Sequence, residues 1–213
     1  QRAEAQFTEA IRIANTLTGA IKDSLLRVAS GGRASVRAWQ NNWTAAVTDA
    51  SVVPTAYVFV APFSTNTTAE NNDLAFETIT RSEFTVFNTQ WATVRDPRVP
   101  WDTVRTTSGA LAVGQDGRTT FFRQRKYATL AADIPIVKGT EMLLLRAEAA
   151  LRNNDVAGAV TLINQVRAFH NTTSAPLPAL TGITTAAQAW PVLQKEHRPV
   201  KPAHCCSLLR SIS

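Results

Sequence analysis

Residues Gly139 to Phe169, GTEMLLLRAEAALRNNDVAGAVTLINQVRAF, decide the fold. The segment reads as two helices joined by the polar turn Arg152-Asn153-Asn154-Asp155. The first helix is apolar nearly all round (Met142, Leu143, Leu144, Leu145, Ala147, Ala149, Ala150, Leu151), which predicts burial on several sides. The second is one-sided: Val156, Ala159, Val160, Ile163, Val166 and Phe169 recur at steps of three and four, with polar residues between. Asp155 stands where an N-cap belongs. Small alanines along both faces let two rods approach closely, so the pair is scaffold. It points to a binding protein ahead of an enzyme.

An earlier stretch, Arg37 to Asp49 (RAWQNNWTAAVTD), resembles the later turn. Asn41-Asn42 aligns with Asn153-Asn154, and Trp43 falls on Val156 if Asp155 is skipped. Ala46-Val47-Thr48 then meets Ala159-Val160-Thr161. A repeated helix–turn–helix predicts tetratricopeptide-like units, each covering the apolar face of the other. The expected class is therefore mainly α, with helix pairs flanking a long irregular insert that contains short β-strands.

Four regions follow along the 213 residues of this single-domain reading. Residues 1–53 are predicted helical, as Glu4–Leu17, Gly19–Trp39 and Trp43–Ser51, with Gly31-Gly32 expected to interrupt the second. Residues 54–138 carry five of the ten prolines and several polar turn clusters, and form the insert. Alternation at Glu83–Phe87 and at Phe121–Tyr127, the latter after an Asp116-Gly117 turn, predicts strands there. Residues 139–197 hold the helical hairpin, a Ser/Thr/Pro-rich loop and a last helix from Thr184 that Pro191 would bend. Residues 198–213 form an atypical tail without periodicity.

The net charge of +6 is scattered, with only Arg123-Gln124-Arg125-Lys126 clustered, which argues against a nucleic-acid face. That tetrad reads as a solvated strand or loop edge. No apolar run suffices to span a bilayer, and the chain opens inside a helix-like pattern, so its true beginning is expected to be missing and export is not readable from it. Cys205 and Cys206 are adjacent, a spacing that rarely permits a disulfide, and His204 beside them makes no metal-site pattern. No metal or other cofactor is expected.

TEMLLLRAEAALRNNDVAGAVTLINQVRAF resembles the signature helix pair of SusD/RagB-like proteins. Asp96-Pro97-Arg98 resembles that family's Asp-Pro-Arg segment. Phe122-Arg123 to Lys126-Tyr127, followed by Ile134-Pro135-Ile136-Val137, resembles its Lys-Tyr strand and Ile-Pro lead into the helix. The resemblance covers about two thirds of the chain, from Trp43 to Phe169. It implies a non-catalytic glycan- or nutrient-binding lipoprotein on the outer face of the outer membrane. Its partner would be a SusC-like TonB-dependent transporter. The chain departs from the family in lacking a lipidated start, so that anchor is absent here. It also diverges after Lys195-Glu196, which makes it look like a C-terminal portion truncated at both ends, as a truncated or frame-shifted gene would give.

Flat aromatic faces and amide or carboxylate side chains are what a sugar requires. Trp39 and Trp43, four residues apart, and Trp190 read as helix packing. Trp91 and Trp101 lie in the insert, where interior packing and a sugar platform both fit. Asn66, Asn71, Asn72 and Asp73 are candidate partners for hydroxyls, although such turns also bond their own backbone. Glycoside hydrolysis requires paired carboxylates. Asp96 and Asp102 bracket Trp101, while Glu141 and Glu148 lie about 10.5 Å apart along one helix, with Arg152 placed to pair Glu148. No nucleophile–base pair accompanies them, and no catalysis is expected. The competing readings are a tetratricopeptide-like protein-interaction scaffold and a nonfunctional fragment.

Overall fold

The computed structural model describes residues 1–93, 96–200 and 210–211. Cys205, Cys206 and His204 lie outside them, as does most of the atypical tail. The chain forms two units. Gln1–Phe59, Ile136–Phe169 and Pro178–Val200 make the first; Val60–Pro135, His170–Leu177 and a terminal strand make the second.

The first unit is helical: α1 (Arg2–Ala14), α2 (Gly19–Trp39), α3 (Trp43–Ala50), and later α5 (Gly139–Arg152), α6 (Val156–His170) and α7 (Ala186–Val200). The expected repeat is present in a different register. Asn41 and Asn154 both adopt left-handed backbone, at φ 60° and 58°. Each closes its helix in the same way. Asn41 donates to Ala38 and Asn42 to Arg37; Asn154 donates to Leu151 and Asp155 to Ala150, the paired bonds of a Schellman motif. The next residue in each case caps the following helix: Asn42 accepts from Ala45 N–H, and Asp155 from Gly158 N–H. The turns therefore align without a gap, Asn42 on Asp155 and Trp43 on Val156. Ala34 and Ala147, and Ala46 and Ala159, are then matching pairs of fully buried alanines.

Each hairpin has its own core. Ala34, Ala46, Ala50, Val137, Met142 and Leu145 form one cluster. Leu144, Ala147, Ile163, Val166, Ala189 and Leu193 form the other. Because α5 supplies both, its sequence is apolar almost all round. Gly31-Gly32 does not interrupt α2. A Cβ on Gly31 would lie 2.4 Å from Val137 Cγ1, and one on Gly32 2.4 Å from Phe7, so both glycines mark close packing. Pro191 sits inside α7, where Ala187, whose carbonyl loses its partner, is exposed to solvent. Trp39 corrects the packing expectation. The turn at Asn41 places Trp39 and Trp43 on different helices, and Trp39 is left 88% exposed. Trp43 is half-buried beneath the Arg152 guanidinium, 4.3 Å from its ring, and Trp190 lies 5.6 Å from the same group. Arg152 also holds Glu148 at 2.9 Å, as expected.

At the N-terminus of α5, Gly139 is compulsory. Its N–H donates to Tyr57 C=O, and an added Cβ would fall 1.8 Å from Pro54 O and 2.6 Å from Thr55 O. Those are backbone atoms that no rotamer can move. Gly139→Ala is expected to cost about 3 kcal/mol, measurable by urea denaturation, whereas Gly182→Ala, in open space at φ 74°, carries only backbone strain.

The second unit holds little regular structure. The chain enters it along β1 (Val58–Ala61) and leaves along β5 (Ile134–Lys138), its partner strand. Between them come a 3-10 turn (Thr68–Glu70), α4 (Asp73–Ala75) running into a π-type turn, and the strands β2 (Phe84–Thr85), β3 (Trp101–Thr103) and β4 (Phe122–Gln124). β2 pairs antiparallel with the terminal strand β6 (Arg210–Ser211). β3 and β4 pair antiparallel with Trp101 opposite Gln124 and Asp102 opposite Arg123. The expected Asp116-Gly117 turn lies between β3 and β4: Gly117 has φ 67°, and Asp116 Oδ1 accepts from the N–H groups of Arg118 and Thr119. These contacts and the Thr119 hydroxyl, foremost among them, hold the Asp116 carboxyl below the usual carboxylate range.

Candidate functional site

The β3–β4 ladder fixes a tryptophan at the edge of a cavity. On adjacent strands, Trp101 and Phe122 stack with ring centres 4.9 Å apart and planes 4° from parallel. Phe87 meets Phe122 edge-on at 5.2 Å. The Trp101 indole N–H donates to the Trp91 carbonyl at 2.9 Å, so the ring cannot swing. One face of Trp101 is thus covered by Phe122 while the residue as a whole is only half-buried. Beside it lies a cavity of about 410 Å³, lined by Asp96, Pro97, Val99, Pro100, Trp101, Arg125, Thr172, Ser174 and Ala175.

The floor comes from the Asp-Pro-Arg turn. Asp96 Oδ1 accepts from the backbone N–H and Nε of Arg98, both at 2.9 Å, and its Oδ2 from Nη2 at 2.7 Å. Both side chains are about 95% buried, so the pair is a locked turn and neither charge reaches the cavity as a net charge. Asp102 is occupied as well, by a two-pronged grip from Arg123 at 3.0 and 2.8 Å. Behind the ladder, buried Gln124 donates to Thr78 Oγ1 and Tyr127 O and accepts from Tyr127 N–H, tying β4 to the chain on either side. The loop 170–177 supplies the last wall. Thr172 bonds Ala175 in both directions, and Asn171 accepts from Leu177 N–H, which shapes the loop without using Ser174.

The residues expected to bind a ligand separate in space. Trp101 lines the cavity. Trp91 does not: it is 2% exposed, in a core with Val86 and Val99, and presents no face to a ligand. Asn72 is fully buried, where it caps α4 through Ala75 N–H and donates to Ala132 O. The Asn71 amide, oriented to donate, reaches Ser64 O and Thr67 O. Asn66 and Asp73 are exposed, the one in a turn where its N–H donates to Ser64 Oγ, the other opening α4. None of these four lines the Trp101 cavity. Arg125, Thr172 and Ser174 do, and the sequence marked them only as a basic edge and a polar loop. Among the described residues no cluster of side chains suits a metal ion, and no helix is long and apolar enough to cross a membrane.

No protein-family model matches the chain, and no curated protein does either. Among solved structures, a SusD-like protein from Bacteroides fragilis matches with a TM-score of 0.51 at 15% identity. The match covers 80% of this chain and 50% of that one, so this chain spans about half the length of its structural neighbour. The fold is SusD-like and mainly α.

Proposed function

We propose that the chain is a glycan- or nutrient-binding component of an outer-membrane uptake system, acting without catalysis. The observation that carries this reading is the Trp101 cavity. An indole fixed by stacking on one side and by its N–H on the other offers a rigid apolar surface beside polar groups, the combination that a sugar ring needs. The SusD-like fold supports a place at the cell surface, and the partner proposed with it is a SusC-like TonB-dependent transporter. The carboxylates argue in the same direction. Asp96 and Asp102, which flank Trp101, each grip an arginine, so both carboxylates are engaged in ion pairs within the protein. The chemistry left to the cavity is binding.

Affinity electrophoresis through gels containing a panel of polysaccharides tests it. Retardation by at least one glycan is expected, and Trp101→Ala should weaken that retardation at least about fivefold, the loss of one stacking platform. Unchanged mobility with every glycan would remove the proposal. A protein-interaction scaffold is the competing reading, favoured by the exposed apolar side chains of α2, Ile21, Leu25 and Trp39. It predicts retention of a protein partner that depends on Trp39 and is indifferent to Trp101.

A further inference from the structure

The Trp101 cavity is charged on one side. Two guanidinium groups, Arg123 and Arg125, converge on the single carboxylate of Asp102. Arg123 takes both oxygens at hydrogen-bonding distance, which leaves Arg125 Nε 3.6 Å from Oδ2, beyond a good bond. Arg125 is anchored by its own backbone, whose N–H donates to Pro100 C=O at 2.8 Å, so its stem is set beside the residue preceding Trp101. Its side chain is 44% exposed and lines the cavity. The acid in the wall, Asp96, is neutralised by Arg98. Among the described residues the balance around the cavity is thus two internal pairs and one guanidinium in excess.

A neutral sugar would leave that guanidinium unused. We propose that the cavity selects a sugar bearing a carboxylate, such as a uronic acid unit of an acidic polysaccharide. Trp101 packs against the C–H face of the ring, the Ser174 hydroxyl serves a ring hydroxyl, and Arg125 takes the carboxylate with two parallel N–H···O bonds. The guanidinium fork meets a planar carboxylate in two parallel bonds, and a sulfated polymer is the anionic alternative that dextran sulfate tests. This narrows the glycan reading and rests on it.

Polygalacturonate and its carboxyl-reduced, neutral counterpart separate the two claims in the same gel assay. The wild-type chain should bind the acidic polymer about tenfold or more tightly than the neutral one, the value of a charge-assisted pair at a partly exposed site. Arg125→Gln should weaken binding of the acidic polymer about tenfold and bring the ratio of acidic to neutral binding close to one. Arg118→Gln, an exposed change on the Asp116 turn, controls for net charge and should change nothing. Equal binding of both polymers, dependent on Trp101, would overturn the carboxylate inference and keep the glycan reading. An equal loss in Arg118→Gln, or dextran sulfate binding as well as polygalacturonate, would reduce the effect to general attraction and overturn it too. Binding of neither polymer, with neutral glycans of the panel still retarded through Trp101, overturns only the carboxylate claim; no retardation by any glycan overturns both.

Discussion

Asp49→Ala is expected to lower the unfolding free energy by about 3 kcal/mol, with an unchanged denaturant slope. Asp49 is 3% exposed and is the shared anion of a clamp across three helices. Its oxygens accept from Arg33 at 2.8 and 2.7 Å and from Arg37 at 2.9 Å. Arg37 also reaches Glu4 on α1 at 2.8 Å, which holds the Glu4 carboxyl below its ordinary range. Without Asp49, two guanidiniums that are less than one fifth exposed would face each other with only Glu4 left to balance them. Each keeps some contact with water, which places the loss at the low end of the range for a broken buried pair. Asp49→Asn keeps the shape and one acceptor oxygen, although its NH2 then faces a guanidinium, and should cost less than Asp49→Ala. Glu9→Ala, which removes an exposed partner of Arg12, should leave the urea midpoint where it is. A midpoint for Asp49→Ala close to that of Glu9→Ala would show that the helices are held by apolar packing alone.

The helical unit was largely legible because its signal is periodic. The apolar circumference of α5 and the stripe on α6 could satisfy no strand pattern, and Asp155 announced the cap between them. The errors arose where one local rule met a tertiary demand. Gly31 and Gly32 have poor helix propensity, yet Val137 and Phe7 occupy the space a Cβ would need, and close approach outweighs about 1 kcal/mol per glycine. The four-residue spacing of Trp39 and Trp43 looked like one helix face, but a left-handed Asn41 between them redirects the chain. Matched by letter, the two Asn-Asn turns align only if a residue is skipped. Matched by role, the left-handed residue is Asn41 or Asn154 and the cap is Asn42 or Asp155, so two residue types serve one position.

The cavity was legible only through Trp101. Its sequence neighbourhood, with Pro100 before and Asp102 after, resembles that of many turns, and nothing in it separates Trp101 from Trp91. What separates them is the pairing of β3 with β4, which stacks Trp101 on Phe122 at the edge while Trp91 lies beneath. Arg125 and Ser174 were unreadable for a stronger reason. Their closeness depends on loop 170–177 reaching the cavity, a contact between segments about fifty residues apart that no local pattern encodes. The Asn-rich turn misled in the opposite way. It is dense in sugar-binding residue types, but Asn71 and Asn72 use their amides on their own loops, as short polar side chains in turns commonly do.

Trp91→Ala is expected to cost about 3–5 kcal/mol, the largest single loss in the second unit. The indole is 2% exposed among Val86 and Val99, with Trp101 and Phe122 packed against that cluster, and its removal leaves a void that a short, loop-rich unit can close only by moving the ladder. Trp91→Phe should be far milder, about 1–2 kcal/mol, because the Trp91 Nε1–H has no hydrogen-bond partner among the described residues and only volume is lost. Trp101 behaves in the opposite sense. It is half-exposed, so Trp101→Ala removes less buried surface and forfeits one N–H···O bond, yet it removes the platform itself. The two tryptophans should therefore exchange ranks between assays, Trp91→Ala being worse in denaturation and Trp101→Ala worse in glycan retention below the melting range. Trp91→Phe sharpens the comparison, since it should keep retention and lose only that smaller part of the stability. Should Trp91→Phe instead abolish retention while leaving the melt intact, the buried indole would have to reach the ligand, and the assignment of Trp101 as the platform would be wrong.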